Sequence, residues 1–143
     1  EYVDHLSTRT QLLDKQVNAF ITPTFDLARK QAQSAETEIM AGNYRGPLHG
    51  IPFGAKDIFE TAGILTTGGS RTGSQHIPKT DAVILSRLYQ SGALLFGKLA
   101  THEFAHGGPS LDLPWPPVRV KIFTPLTSIH LRSKSGKRST VIC

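Results

Sequence analysis

Apolar residues along the first hundred positions switch between helical and strand spacing several times. Val3, Leu6, Leu12, Leu13 and Val17 form a weak helical stripe, which predicts one or two short helices over 1–17. Residues 18–21 are a candidate short strand. Phe25, Ala28, Ala32, Ala35 and Ile39 recur every three or four residues and predict a helix over 23–41. Thr22 is its expected N-cap, Pro23 its first residue, Asp26 a favourable charge at its positive end and Gly42 its left-handed stop. Residues 53–59 predict a strand and its exit, and 61–75, rich in Gly, Ser and Thr, a loop. Val83, Ile84, Leu85 and Leu88 predict a helix over 82–91, capped by Asp81 and ended by Gly92. Residues 93–97 then form a short, Gly-bounded apolar run, expected to be a buried strand. Strand, helix and strand in that order predict parallel α/β pairing. One further helical turn is expected at 101–106.

The texture changes near residue 118. Residues 1–117 hold 12 of the 13 glycines, whereas residues 118–143 alternate apolar and basic side chains without a clear period. Residues 118–123 are a candidate strand, and 133–140 read as disordered. Charge marks the same boundary. Residues 1–112 carry 10 Lys+Arg and 11 Asp+Glu, a net of −1, while 113–143 carry 6 Lys+Arg and no acid, so the tail supplies the whole formal excess of +5. A basic arm of this kind can contact nucleic acid or an acidic partner. No apolar run approaches the ~20 residues that a membrane-spanning helix needs. The acidic start has no apolar leader pattern and no initiator Met, as expected of a processed or partial chain. The single cysteine, Cys143, allows no disulfide within a monomer and fits a reducing, cytoplasmic setting.

Three patterns invite chemistry. His102-Glu103-Phe104-Ala105-His106 matches H-E-x-x-H, which on a helix stacks two His over one Zn with Glu103 as base. Its context argues against that. Gly107-Gly108-Pro109 stops any helix, no Glu follows Glu103, and only His130 and Asp112 remain as third ligands. The plainer reading is a surface or loop-packing pair of His, with Glu103 capping or paired. Gly68-Gly69-Ser70-Arg71-Thr72-Gly73-Ser74 suggests a phosphate loop, but Ser74 and Gln75 stand where Lys and Ser/Thr are required. A turn of small residues is the default. Lys56 is the strongest candidate. A strand-borne Lys beside Gly54, Ala55 and Ile58 is expected to face apolar surroundings, which disfavour the ammonium and leave an amine able to act as a base. Its alternative is a surface lysine paired with Asp57 or Glu60.

Gly46-Pro47-Leu48-His49-Gly50-Ile51-Pro52-Phe53-Gly54-Ala55-Lys56-Asp57 strongly resembles the GPLxGIPxxxKD segment of amidase signature enzymes. Thr66-Thr67-Gly68-Gly69-Ser70 is similar to the small-residue loop that follows it there. Residues 81–98 resemble a DAxxVxxLxxxGAxxxGK unit, and residues 102–107 fall where the family has xEFAxG, which makes the zinc pattern a coincidence. The match covers roughly residues 15–117, with its motifs in order.

The resemblance implies an α/β fold, a mixed β-sheet covered by helices, of which this chain holds the N-terminal part. It implies hydrolysis of carboxamide C–N bonds, of the non-peptide class, by a Ser–cis-Ser–Lys triad, with Lys56 as the base and Gly107, Gly108 and Pro109 as substrate-loop candidates. No cofactor is implied. The expected partner is a small-molecule amide; a membrane is not expected and nucleic acid is disfavoured. The two serines cannot be carried over. The family's Ser-rich stretch is absent, and Ser128, Ser133, Ser135 and Ser139 lie in no such motif. Ser70 belongs to the earlier loop and is rejected as nucleophile. The expectation is therefore an amidase portion at 1–117 followed by a divergent or out-of-frame tail at 118–143, inactive by itself and marginally stable because sheet edges and apolar faces stay uncovered. The alternative is a non-catalytic chain whose tail binds acidic partners.

Overall fold

The structure, a computed structural model, describes residues 1–108 and 112–119 and the backbone of residues 131–132 and 138–139. Helix α1 (Tyr2–Val17) is continuous rather than two short helices. It ends at Asn18, a left-handed residue at φ 54° whose N–H bonds Asp14 O. Asn18 Nδ2 also donates to Pro117 O, and Arg119 N–H to Val17 O, so the segment around 117–119 lies against the end of α1. Strand β1 (Phe20–Pro23) precedes helix α2 (Phe25–Met40). The expected capping shifts by two residues: Thr22 and Pro23 remain in the strand and Thr24 is the N-cap. Thr24 makes no side-chain capping bond; its hydroxyl donates to Leu95 O on a neighbouring strand.

Strand β2 (Pro52–Lys56), helix α3 (Val83–Gln90) and strand β3 (Leu94–Leu99) follow. Asp81 does not cap α3; Ala82 is the N-cap, and the Asp81 carboxylate accepts from Ala62 N–H. Gly92, at φ 80°, closes α3, and a side chain there would run into the buried His49 ring. The three strands form one mixed sheet in the order β1-β3-β2. β3 pairs antiparallel with β1 and parallel with β2. The parallel β2–α3–β3 unit is the one that the apolar pattern predicts. Strands β4 (Leu131–Arg132) and β5 (Arg138–Ser139) form a two-residue antiparallel ladder, so 138–139 are paired within a stretch expected to be disordered. Residues 118 and 119 are not in a strand; the rest of the expected 118–123 strand lies outside the described residues.

Two apolar clusters lie on the two faces of β3. Leu94 and Phe96 pack with Val3, Ala28 and Ala35 of the first two helices. Leu95 packs with Ala55 of β2 and Leu85 of α3. The parallel register contains a bulge. Phe53 pairs with Leu95 but Gly54 pairs with Gly97, so Phe96 is an extra residue on β3. A bulge re-aims the side chains beyond it. Lys98 therefore stands opposite Ala55, on the α3 side, instead of following Leu94 and Phe96 to the other face.

Candidate active site

β2 and β3 run parallel and end together at Lys56 and Leu99. The space beyond the carboxyl ends of parallel strands is where α/β sheets place ligands. Lys56 is the last residue of β2 and is exposed, which corrects the expectation of an apolar, buried setting. The cause lies in strand alternation. Ala55 and Asp57 turn inward toward α3, while Lys56 shares the other side of β2 with Gly54, over which the Leu99 side chain lies. The Lys56 ammonium has no hydrogen-bond or ion-pair partner among the described residues. Neither expected partner takes it: Asp57 pairs with Lys98, and Glu60 with His76 at 2.9 Å.

The buried lysine is Lys98. It and Asp57 are both 0% exposed. Lys98 Nζ lies 3.3 Å from Asp57 Oδ1 and donates to Phe59 O at 2.9 Å and to Thr66 Oγ1 at 2.5 Å. Burial pushes Lys98 below the ordinary lysine range, and the Asp57 carboxylate partly opposes that. Asp57 Oδ2 accepts from Thr67 N–H at 2.9 Å and Thr67 Oγ1 at 2.5 Å. The Asp57 backbone is fixed as well: its N–H donates to Leu99 O, and its carbonyl accepts from Gly68 N–H. Phe59 N–H closes a turn onto Lys56 O. The contacts of Asp57, and the Lys98 bond to Phe59 O, thus tie the turn leaving Lys56 to β3 and to the 66–70 loop.

That loop is a built element. Thr66, Thr67, Gly68, Gly69 and Ser70 all donate their N–H groups internally, and so do Thr72, Gly73 and Ser74. A phosphate cradle needs such groups free to point at an anion, so the phosphate-loop pattern is not one in space. The loop also meets the stretch after β3. Ser70 Oγ donates to Glu103 Oε1 at 2.7 Å, and Phe104 N–H to Gly68 O at 2.6 Å. Gly69, at φ 66°, passes close to the carbonyls of Thr101 and His102, where a Cβ would stand 2.8 Å from Thr101 O.

The H-E-x-x-H residues are not stacked on a helix. Glu103–Ala105 is a single 3-10 turn, with Phe104 at φ 47° and Ala105 at φ 58°. His102 and His106 flank this turn in extended conformations, and Glu103 is held by Ser70. No group of three metal-binding side chains occurs among the described residues. Gly107 and Gly108 are exposed, and Pro109 lies outside the described residues, as do the side chains of Ser128, Ser133, Ser135 and Ser139. An open cavity of about 420 Å³ lies beside the loop, lined in part by Ile58, Thr67, Gly68, His76 and Phe104.

Sequence reasoning missed Lys98 as a buried group. A signal was available: a lysine directly after an apolar strand run has to find an acid, and Asp57 stands one residue past the other lysine of interest.

Comparison with known proteins places these elements. The family model described as Amidase matches residues 1–113. The glutamyl-tRNA(Gln) amidotransferase A subunit of Geobacter sp. (strain M21) is 43% identical over 111 residues, covering 78% of this chain and 23% of the relative. The protein of the same name from Psychrobacter cryohalolentis is 42% identical over 107 residues, covering 75% and 21%. Among solved structures, the peptide amidase from Stenotrophomonas maltophilia superposes with a TM-score of 0.66 at 33% identity, over 71% of this chain and 21% of that one. A protein described in connection with the origins of an s-triazine catabolic enzyme reaches 0.76 at 30% identity, over 82% and 26%. The chain spans about a quarter of the length of these proteins.

Proposed function

This chain belongs to the amidase family, and we propose that it carries the lysine base of a hydrolytic site for carboxamide C–N bonds. In this reading Lys56 takes a proton, through a bridging serine, from a nucleophilic serine that attacks the amide carbonyl. Backbone N–H groups then stabilise the oxyanion. Neither serine is assigned within residues 1–119, so the chain by itself is expected not to turn over amides. Residues 1–117 are the amidase portion and 118–143 a separate basic extension.

One observation carries the reading of Lys56. A general base has to give up its charge, and a carboxylate paired with it opposes that. The neighbouring acid, Asp57, points to the opposite side of β2 and is taken by Lys98, which leaves the Lys56 amine without a partner among the described residues at the open end of the parallel strands. The relatives include amidotransferase subunits and a peptide amidase. Cleavage of an amide C–N bond is the chemistry proposed in common with them.

The test replaces the matching segment of the Geobacter protein with residues 1–113 and follows ammonia release from simple carboxamides. The chimera is expected to be active and Lys56→Ala to abolish turnover, a loss on the order of 10²–10⁴-fold for a general base. Retained activity in Lys56→Ala, with the fold intact, removes Lys56 from the mechanism. Steady turnover by the 143-residue chain alone contradicts the missing serines.

A further inference from the structure

We propose that Lys98 is a positioning residue for Lys56. It captures the Asp57 carboxylate on the far side of β2, pins the turn that begins at Lys56, and so keeps the Lys56 amine free of its own neighbour. The proposal rests on the reading of Lys56 as the base and adds a second lysine to the site, one that never meets substrate.

The geometry gives each contact a task. Adjacent residues Lys56 and Asp57 carry opposite charges, and in an exposed turn nothing prevents the acid from folding back onto the amine. Here the acid is removed to the other face, where Lys98 Nζ stands 3.3 Å from Oδ1 and Thr67 occupies Oδ2 through both its N–H and its hydroxyl. The same ammonium donates to Phe59 O, at the far end of the turn closed by Phe59 N–H on Lys56 O. One buried cation therefore holds the residue after Lys56 and the end of its turn. Its remaining contact, Thr66 Oγ1, ties the turn to the 66–70 loop. With Phe96 in the strand, Lys98 reaches this position because the bulge takes Phe96 out of the pairing register and leaves Lys98 opposite Ala55. An apolar side chain of similar length could fill the space but could not hold the carboxylate. Where a buried ion pair loses one member, the charge left behind is the dominant penalty.

The experiment uses the 143-residue chain and the acylation rate of individual lysines by N-acetoxysuccinimide, read by peptide mass spectrometry at fixed pH. In Lys98→Met the released Asp57 pairs with Lys56. Acylation of Lys56 should slow by about two- to fivefold, the range of an exposed ion pair, while exposed Lys79 keeps its rate. Asp57→Asn/Lys98→Met should restore the Lys56 rate. A purely structural role makes the opposite forecast, since loosening the turn leaves an exposed amine as reactive as before or more so. An unchanged or faster Lys56 rate in Lys98→Met overturns the proposal, as does failure of the double variant to restore it.

If Lys98→Met does not fold, Thr66→Val removes a single acceptor and is read by amide hydrogen exchange. Phe59 and Thr67 should then exchange about tenfold faster, with Ala32 and Ala35 of α2 unchanged. A uniform change, or none, overturns the proposal. These readouts do not depend on Lys56 being the base. Lys56→Ala in the chimera tests that separately, so the two failures are distinguishable.

Discussion

Gly73→Ala probes how tightly the loop behind Lys56 is built. An ideal Cβ at Gly73 would stand 2.2 Å from Thr67 O and 2.8 Å from its carbonyl carbon. Gly73 is not among the positive-φ glycines, so the penalty comes from close approach and not from backbone strain. Both clashing atoms are backbone, and relief requires the chain itself to move. Thr67 has little freedom to do so. Its N–H and hydroxyl hold Asp57 Oδ2, its hydroxyl oxygen accepts from Gly69 N–H, and its carbonyl accepts from Ser70 N–H. An extra methyl in a packed site costs about 1–3 kcal/mol, and displacing one buried hydrogen bond adds about 1 kcal/mol, for a total of about 2–4 kcal/mol. Gly54→Ala is expected to cost less, because its clash at 2.7 Å is with the flexible Leu99 side chain. Gly108→Ala is the control: nothing lies within 4 Å of its Cβ, and its stability should stay within about 0.5 kcal/mol of the parent. Urea unfolding followed by far-UV circular dichroism, at a common m-value, ranks the three. In a marginally stable chain, Gly73→Ala shows as loss of the cooperative transition. Equal midpoints for Gly73→Ala and Gly108→Ala would refute the packing argument.

Further predictions concern charge. Burial, with a smaller contribution from Asp81, pushes the Tyr89 hydroxyl up to about 12 from 10.0. The unfolded chain loses that proton first, so stability falls as pH rises from about 10 to 12, and Tyr89→Phe should flatten this decline in pH-dependent urea midpoints. Lys98 has the opposite sign. Its folded form binds its proton less tightly than an unfolded lysine, so stability rises as pH climbs through its lowered range toward 10.5. The difference between parent and Lys98→Met midpoints should carry that rise, and a difference that is flat with pH would refute it. Ser70→Ala removes the donor to Glu103 Oε1; exchange of the Phe104 amide, bonded to Gly68 O, should quicken about fivefold, corresponding to about 1 kcal/mol of local stability. An unchanged rate would show that the Ser70–Glu103 contact does not hold the two loops together.

Much of the architecture is written locally. The stripe of Phe25, Ala28, Ala32 and Ala35 specifies α2, and the apolar run at 93–96 ending at Gly97 specifies β3, because spacing and Gly boundaries report directly on a helix face and a buried strand. The edges were less legible. Thr22 reads locally as the cap of α2, but pairing of Thr22 with Lys98 and Pro23 with Gly97 keeps both in the strand and moves the cap to Thr24. The motif resemblance singles out Lys56 as the candidate base but does not report its surroundings. Its exposure follows from its side of the strand, and the capture of Asp57 joins residues 41 positions apart. The bulge that permits this contact leaves no signature in the local apolar pattern. The H-E-x-x-H spacing misled for a related reason: it presumes a helix, and Phe104 and Ala105 depart from one.

The extra residue in β3 has a consequence for how this segment tolerates length changes. Before the bulge, odd and even positions divide cleanly between the two faces; after it, the parity is reversed. A one-residue deletion at Phe96 would remove the extra residue, make the ladder regular and leave Lys98 opposite Ala55. Its cost would fall on the cluster of Val3 and Ala28, which loses the Phe96 ring. Shortening the strand at this point therefore spares the buried ion pair and acts on the apolar packing beneath the first two helices.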